Sequence, residues 1–100
     1  AGDGAVAIVA TGSTAADAKL LSAVFNTITT SSASTGVKLP PTEAGAMVGI
    51  RNDSGQTITV YPYNTSSTIN AAATSVTLAT AKSMILFAPS ATTWASVTSA

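Results

Sequence analysis

The sequence contains no histidine and no cysteine among its 100 residues. It therefore lacks the side chain that most often serves as a general base near neutral pH and as a metal ligand. It also lacks a thiol nucleophile, a thiolate ligand and any disulfide. Its acidic residues (Asp3, Asp17, Glu43 and Asp53) are isolated from one another along the chain, so no carboxylate pair is indicated. We predict that the chain is not an enzyme and has no catalytic, cofactor-binding or metal-binding residue.

Charge is scarce as well. Only 8% of the residues are charged and the net charge is zero, whereas an ordinary soluble domain is about 25% charged. The four basic residues are spread along the chain and form no patch for nucleic acid. No apolar run approaches the ~20 residues that a membrane-spanning helix requires. We expect neither a nucleic-acid partner nor a membrane partner.

Alanine, threonine and serine make up half of the chain. The resulting surface is neutral and rich in hydroxyl groups, whereas soluble monomers usually carry more net charge. Such a surface is suited to packing against copies of itself or against a partner. Simple surface neutrality is the alternative interpretation.

Short β-branched and aromatic runs alternate with turn residues along the chain, and this pattern indicates β-strands. About seven to eight short strands at spacings of 8–12 residues predict an all-β fold, a small antiparallel β-sandwich or barrel. The length fits a single domain over residues 1–100. Residues 1–12 are weakly patterned and are predicted to form an extended N-terminal arm. We find no internal repeat of fixed period.

Three segments carry specific structural predictions. Residues 46–51 and 57–61 flank an Asn-Asp-Ser-Gly turn and predict a β-hairpin. Residues 83–87 are apolar on both faces, which is typical of a buried central strand. One short helix near residues 14–25 remains open, because Leu20, Leu21, Val24 and Phe25 fall at helical spacing, although an extended edge also fits. The predicted core comprises Val37, Leu39, Val48, Ile50, Ile58, Val60, Val76, Leu78, Ile85, Phe87 and Trp94.

Three aromatic residues offer the only candidate contact site. Tyr61, Tyr63 and Trp94 could together form a platform on which a sugar ring stacks. In the alternative interpretation Trp94 lies in the core and the tyrosines flank a turn. We take Tyr61 and Tyr63 as candidate residues for contact with a glycan or a protein partner.

An ordered series of short motifs resembles a pattern found in small β-rich structural proteins and fibre modules of tailed bacteriophages. The resemblance covers roughly residues 14–98, and Lys38 stands where arginine is common. The motifs in this chain are Thr35-Gly36-Val37-Lys38-Leu39-Pro40, Ala44-Gly45, Val48-Gly49-Ile50-Arg51-Asn52, Ile58-Thr59-Val60-Tyr61-Pro62, Thr68-Ile69-Asn70, Ser75-Val76-Thr77-Leu78 and Trp94.

The resemblance implies a structural protein of the virion, commonly a trimer. We expect a capsid decoration (cement) protein on the capsid surface of a bacteriophage. It would stabilise the shell by binding the major capsid protein and copies of itself as a homotrimer. A tail or head fibre or spike module is the first alternative, and a carbohydrate-binding module is the second. The resemblance implies no catalytic residue.

Overall fold

The structure, a computed structural model, describes residues 4–32, 35–64, 66–71 and 74–99. These residues form ten β-strands and no helix, so the all-β prediction is confirmed, whereas the predicted count of seven to eight strands is too low. The strands are β1 (Gly4–Val9), β2 (Lys19–Leu20), β3 (Phe25–Thr30), β4 (Gly36–Lys38), β5 (Met47–Asn52), β6 (Ile58–Tyr61), β7 (Thr68–Ile69), β8 (Val76–Leu78), β9 (Lys82–Phe87) and β10 (Thr93–Thr98).

The chain alternates between two sheets from β1 to β9. One sheet has six strands in the order β1-β3-β5-β9-β10-β7, and the other has four in the order β2-β4-β6-β8. Each early strand lies parallel to the strand two positions later in the chain, so that β1-β2, β3-β4 and β5-β6 stack as successive coils. Phe25 thus lies between Gly4 and Gly49, and Val37 lies between Lys19 and Val60.

The later strands end the stack. β8 pairs antiparallel with β6, and β9 pairs antiparallel with β5 and β10, while β7 runs parallel to β10 at the far edge. The prediction of an antiparallel sandwich or barrel is therefore wrong, since the coils stack in a solenoid-like manner and most strand pairings are parallel. The coils stack in this way although the sequence contains no repeat of fixed period.

The segment near residues 14–25 contains no helix. Ser13 and Thr14 begin a turn around Asp17, and Gly12 precedes it with a φ of 75°. Lys19 and Leu20 then form β2 beside β4, and β3 begins at residue 25. The single bond from the Ala18 N–H to the Thr14 carbonyl resembles one helical turn. Pairing with β4 prevents that turn from continuing as a helix.

Residues 46–61 form two strands, as predicted, but not a hairpin. β5 belongs to the six-stranded sheet and β6 to the four-stranded sheet, so the turn carries the chain from one sheet to the other. The side chain of Asn52 stabilises this turn between the two sheets through hydrogen bonds. Its Nδ2 donates to the carbonyls of Gln56 (2.7 Å) and Leu78 (2.9 Å), and its Oδ1 accepts from the Ser54 N–H (3.0 Å) and hydroxyl (2.7 Å). The side chain is fully buried with both of its polar atoms bonded.

The core lies between the two sheets. Eight predicted core residues are buried, namely Val37, Leu39, Val48, Ile50, Ile58, Val60, Leu78 and Trp94, and Val76 is partly buried against them. Ile85 and Phe87, however, are 47% and 40% exposed, so their assignment to the core is wrong. Their neighbours Met84 and Leu86 fill the core instead.

The predicted N-terminal arm contains a sheet strand. Residues 4–9 form β1, which pairs with β3 on one side and is the edge of the six-stranded sheet on the other. The register of this pairing shifts between Ala5 and Ile8 and again before Val9. Ile8 and Ala10 point into the core and are buried. Residues 1–3 of the predicted arm lie outside the described residues.

Candidate interaction surfaces

Tyr61 and Tyr63 lie along adjoining grooves, whereas Trp94 is buried in the core. Tyr61 ends β6, half-buried, and its hydroxyl donates to the Ser13 carbonyl at 2.8 Å. Tyr63 is 38% exposed, and Lys38 Nζ lies 5.4 Å from the centre of its ring. Trp94 is buried and donates from Nε1 to Thr42 Oγ1 at 3.0 Å. The three-residue sugar platform is therefore not formed, and the interpretation that places Trp94 in the core is confirmed.

The two tyrosines line adjoining grooves of about 310 and 270 Å³. Ala15 and Asn64 border both grooves, Tyr61 and Pro62 line the larger one, and Tyr63 lines the smaller one. Asn64 Oδ1 accepts from the N–H and hydroxyl of Ser66. The combined groove is mainly apolar, with amide and hydroxyl groups and the Lys38 ammonium among its lining, and it has the chemistry to hold a polar ligand.

The turn at 13–17 forms one wall of the larger groove. Asp17 Oδ1 accepts from the Thr14 hydroxyl (2.8 Å) and N–H (2.9 Å) and from the Ser13 N–H (3.2 Å). These bonds, first that from the Thr14 hydroxyl, hold the pKa of Asp17 below its ordinary value of 3.8. The ionised carboxylate of Asp17 is the state that orders the turn.

We expect this turn to loosen in acid. Because the pKa of Asp17 is lower in the folded chain than in the unfolded one, the bonds stabilise the turn above pH 3.8 and are lost as the pH falls through the lowered value. An NMR titration of the Thr14 amide should show its shift changing with a midpoint below 3.8. The Asp17→Asn variant should show no such change. A midpoint at or above the ordinary value would contradict this account of the turn.

A second surface, which sequence reasoning missed, is the outer face of the six-stranded sheet. Five large apolar side chains of β3, β5, β9 and β10 project from it, and each is at least 40% exposed. We call this set the apolar face. Its members, with their exposed fractions, are Phe25 (43%), Met47 (58%), Ile85 (47%), Phe87 (40%) and Val97 (63%).

Strand register makes the apolar face continuous. Phe87 of β9 lies beside Met47 of β5 and Ala95 of β10, and Ile85 lies beside Gly49 and Val97 in the next row. Residues paired across neighbouring strands point to the same side of a sheet. The apolar side chains therefore form two adjacent rows across the middle of the sheet.

Gly49 allows Phe25 to extend this surface. Phe25 pairs with Gly49 in the ladder, and a Cβ built on Gly49 would lie 2.2 Å from the Cδ1 atom of the Phe25 ring. The ring therefore lies directly over the backbone of β5 at a place where any side chain would displace it. Ile85 flanks Gly49 on the other side.

Charge is confined to one end of this face. Arg51 is the charged residue on the outward side of the described central strands, and its Nε lies 2.8 Å from Asp53 Oδ1. Its Nη1 also donates to the Ala81 carbonyl at 3.0 Å. The guanidinium is thus held and neutralised by its own chain, and the two apolar rows carry no charge.

Acidic clusters and long apolar helices are both absent from the part of the chain that the structure describes. No three acidic residues lie close enough together to hold a metal ion. None of its segments forms a helix with the length and apolar character needed to cross a membrane.

The sequence did carry a signal for the apolar face. Residues 83–87 are apolar on both faces, a pattern that predicts burial of both faces within one chain. In the structure the inward residues Met84 and Leu86 are buried, whereas the outward residues Ile85 and Phe87 are not. A run that is apolar on both faces can also mark a strand with one face in the core and the other in an interface.

No family model, no curated protein and no solved structure matches this chain.

Proposed function

We propose that this chain is a structural subunit of a virus particle, a capsid decoration (cement) protein of a tailed bacteriophage. In this role it binds the major capsid protein and copies of itself on the capsid surface and stabilises the shell. The homotrimer implied by the family resemblance belongs to this proposal. The chain acts by burying surface and not by catalysis.

The apolar face is the observation that carries this proposal. A monomer that exposes five large apolar side chains in one patch, with a net charge of zero, is poorly protected against association. In an assembly, burial of the apolar face stabilises the contact between subunits. The abundance of alanine, serine and threonine suits a subunit whose neighbours pack closely around it.

The edge strand β1 is the proposed contact with the coat protein. Its sequence, Gly-Ala-Val-Ala-Ile-Val, contains no charge and no proline, two features that protect an edge from further pairing, and the register shifts of β1 lie at Ala5–Val9. Val6 is 76% exposed there. An extended segment of a coat subunit can pair with the free side of β1 and continue the sheet.

The test uses particles of the virus whose genome encodes this chain. We expect the chain to be present on purified particles and to be lost by about tenfold when Val6 is replaced by lysine, because a charge on the edge opposes strand addition. The matched control is Thr77→Lys, which puts the same charge on the exposed edge strand β8 of the other sheet. Quantitative mass spectrometry of the particles measures occupancy. Absence of the chain from the particles would contradict the proposal.

The groove supports a second candidate function, a carbohydrate-binding module. The exposed ring of Tyr63 offers a surface for the C–H face of a sugar, and Asn64 lies beside it at the rim. Binding on a glycan array that disappears with Tyr63→Ala would support this function. An array without any signal would exclude it in favour of the structural role.

A fibre or spike module is the remaining alternative. At the β1-β2 end, no antiparallel strand of the described residues covers the coils, unlike at the opposite end. In a fibre, this end would continue into a neighbouring module. Finding the chain on tail fibres rather than on heads would favour the fibre module.

A further inference from the structure

We infer that the apolar face of the six-stranded sheet is a self-association surface, and that its occupants are the apolar faces of further copies of this chain, packed around a shared axis. The inference deepens the proposed function by naming the partner of this face. The location of the assembly on a particle rests on the proposed function. The association itself is a property of the isolated chain.

The composition of the central strands is the first argument. β5 and β9 lie in the middle of the six-stranded sheet, and each carries large apolar residues on both sides. Val48, Ile50, Met84 and Leu86 point inward and are at most 2% exposed. Solvated sheet faces usually alternate apolar and polar residues, whereas strands buried on both faces do not. The outward residues of β5 and β9 therefore fit a second buried layer.

The size of the face is the second argument. The exposed fractions of its five side chains leave roughly 450 Å² of apolar side-chain surface uncovered, since each such side chain offers about 150–200 Å². A standard protein interface buries about 800 Å² on each partner. The apolar rows supply more than half of that area. Neighbouring small residues on the same side, such as Ala95, Thr27 and Ser83, supply a rim.

Charge is the third argument, because it decides between a copy and a different partner. A surface that binds an acidic or basic partner carries complementary charge. The two apolar rows carry none, and Arg51 at their end is already paired with Asp53. A neutral apolar face meets its own copy without like-charge repulsion.

The Phe25–Gly49 contact gives this face a defined shape before association. The ring lies against the backbone of Gly49 and is only partly exposed. An aromatic ring held against its own strand presents a fixed surface to a partner and loses little conformational freedom on binding.

The experiment compares the full chain with three variants by light scattering coupled to size exclusion. We expect the natural chain to have a mass that is a multiple of its 9.8 kDa monomer at micromolar concentration. The variant Ile85→Lys should elute as a monomer, because a lysine in the middle of the face cannot be buried unpaired. Thr77→Lys, with the same charge on the other sheet, should keep the mass of the natural chain.

Circular dichroism of the variants separates loss of association from loss of folding. Ile85 is already half-exposed in the monomer, so Ile85→Lys should keep the circular dichroism spectrum of the natural chain. Gly49→Ala should displace the Phe25 ring and weaken association at least tenfold with the fold retained. A monomeric natural chain at all accessible concentrations would overturn the inference. An Ile85→Lys variant that stays associated would overturn it as well.

This outcome is distinguishable from the fate of the proposed function. A chain that associates in solution but is absent from particles would retain the inference and refute the decoration role. A chain that stays monomeric in solution but occupies particles would refute the inference and retain the decoration role.

Discussion

Replacing Trp94 with alanine is expected to lower the free energy of unfolding by about 3–5 kcal/mol. A domain of this size has a total stability of about 5–15 kcal/mol, so the variant should lose a large part of its stability. Trp94 is the largest fully buried side chain, and it lies on β10 beside Ile69 of β7. Its removal leaves a cavity at the point where β7 is held to the edge of the sheet.

The indole also anchors a polar chain that spans distant parts of the sequence. Its Nε1 donates to Thr42 Oγ1 at 3.0 Å, and the Thr42 hydroxyl donates to Ser67 Oγ at 2.8 Å. This chain joins the loop before β5 to the segment before β7. Because Trp94→Phe keeps most of the volume and loses the first bond, it should reduce stability by only about 1–2 kcal/mol.

Urea unfolding followed by circular dichroism measures both variants, since the chain has a single tryptophan and fluorescence is lost with it. We expect the alanine variant to unfold at a much lower urea concentration than the phenylalanine variant. A loss below about 1 kcal/mol for Trp94→Ala would show that the core is not organised around this residue.

Replacing Asn52 with aspartate is the second large effect that we expect, a loss of about 3–5 kcal/mol at neutral pH. The buried amide donates to the Gln56 and Leu78 carbonyls, and a carboxylate can donate to neither. The substitution would place a negative charge against two carbonyl oxygens without water. The corner between β5 and β6, and its bond to β8, would both be broken.

Asn64 provides a matched control for this prediction. Its Oδ1 accepts from the N–H and hydroxyl of Ser66, just as Asn52 Oδ1 accepts from those of Ser54. Asn64 is exposed, whereas Asn52 is fully buried. Asn64→Asp keeps the accepting oxygen and should change stability by less than about 0.5 kcal/mol. Thermal unfolding of both variants at pH 7 measures the difference, and equal melting temperatures would contradict the role of Asn52.

Strand positions could be predicted from the sequence because they depend on local alternation and on turn residues. Residues 46–51, 57–61 and 83–87 all became strands at or near the predicted bounds. Strand partners could not be predicted in the same way. The turn after Asn52 looks like a hairpin turn, but the buried amide uses its bonds to redirect the chain into the other sheet.

The helix near residues 14–25 shows a related limit. The helical spacing of Leu20, Leu21, Val24 and Phe25 is real, but only Leu21 among them is buried. Parallel pairing of β2 with β4 determines the local structure here, and sequence spacing carries no information about that pairing.

The candidate site was predictable in part. Tyr61 and Tyr63 line adjoining grooves. The sequence did not show that Trp94 lies apart from them, because only its burial in the structure reveals this. The apolar face depends on the register that puts Met47 beside Phe87 and Val97 beside Ile85. Register between strands far apart in sequence cannot be deduced from one chain. The decoration role rests on the family resemblance together with this face, and it stays a prediction.

The two methionines test most directly the claim that the apolar face is buried in an assembly. Met47 lies on that face and is 58% exposed in the monomer, whereas Met84 lies in the core and is 2% exposed. Oxidation by dilute peroxide, followed by mass spectrometry, reports the accessibility of each sulfur. We predict that Met47 of the natural chain is oxidised about as slowly as Met84, and that Met47 becomes rapidly oxidised in Ile85→Lys. Rapid oxidation of Met47 in the natural chain, at the same rate as in the variant, would contradict the account.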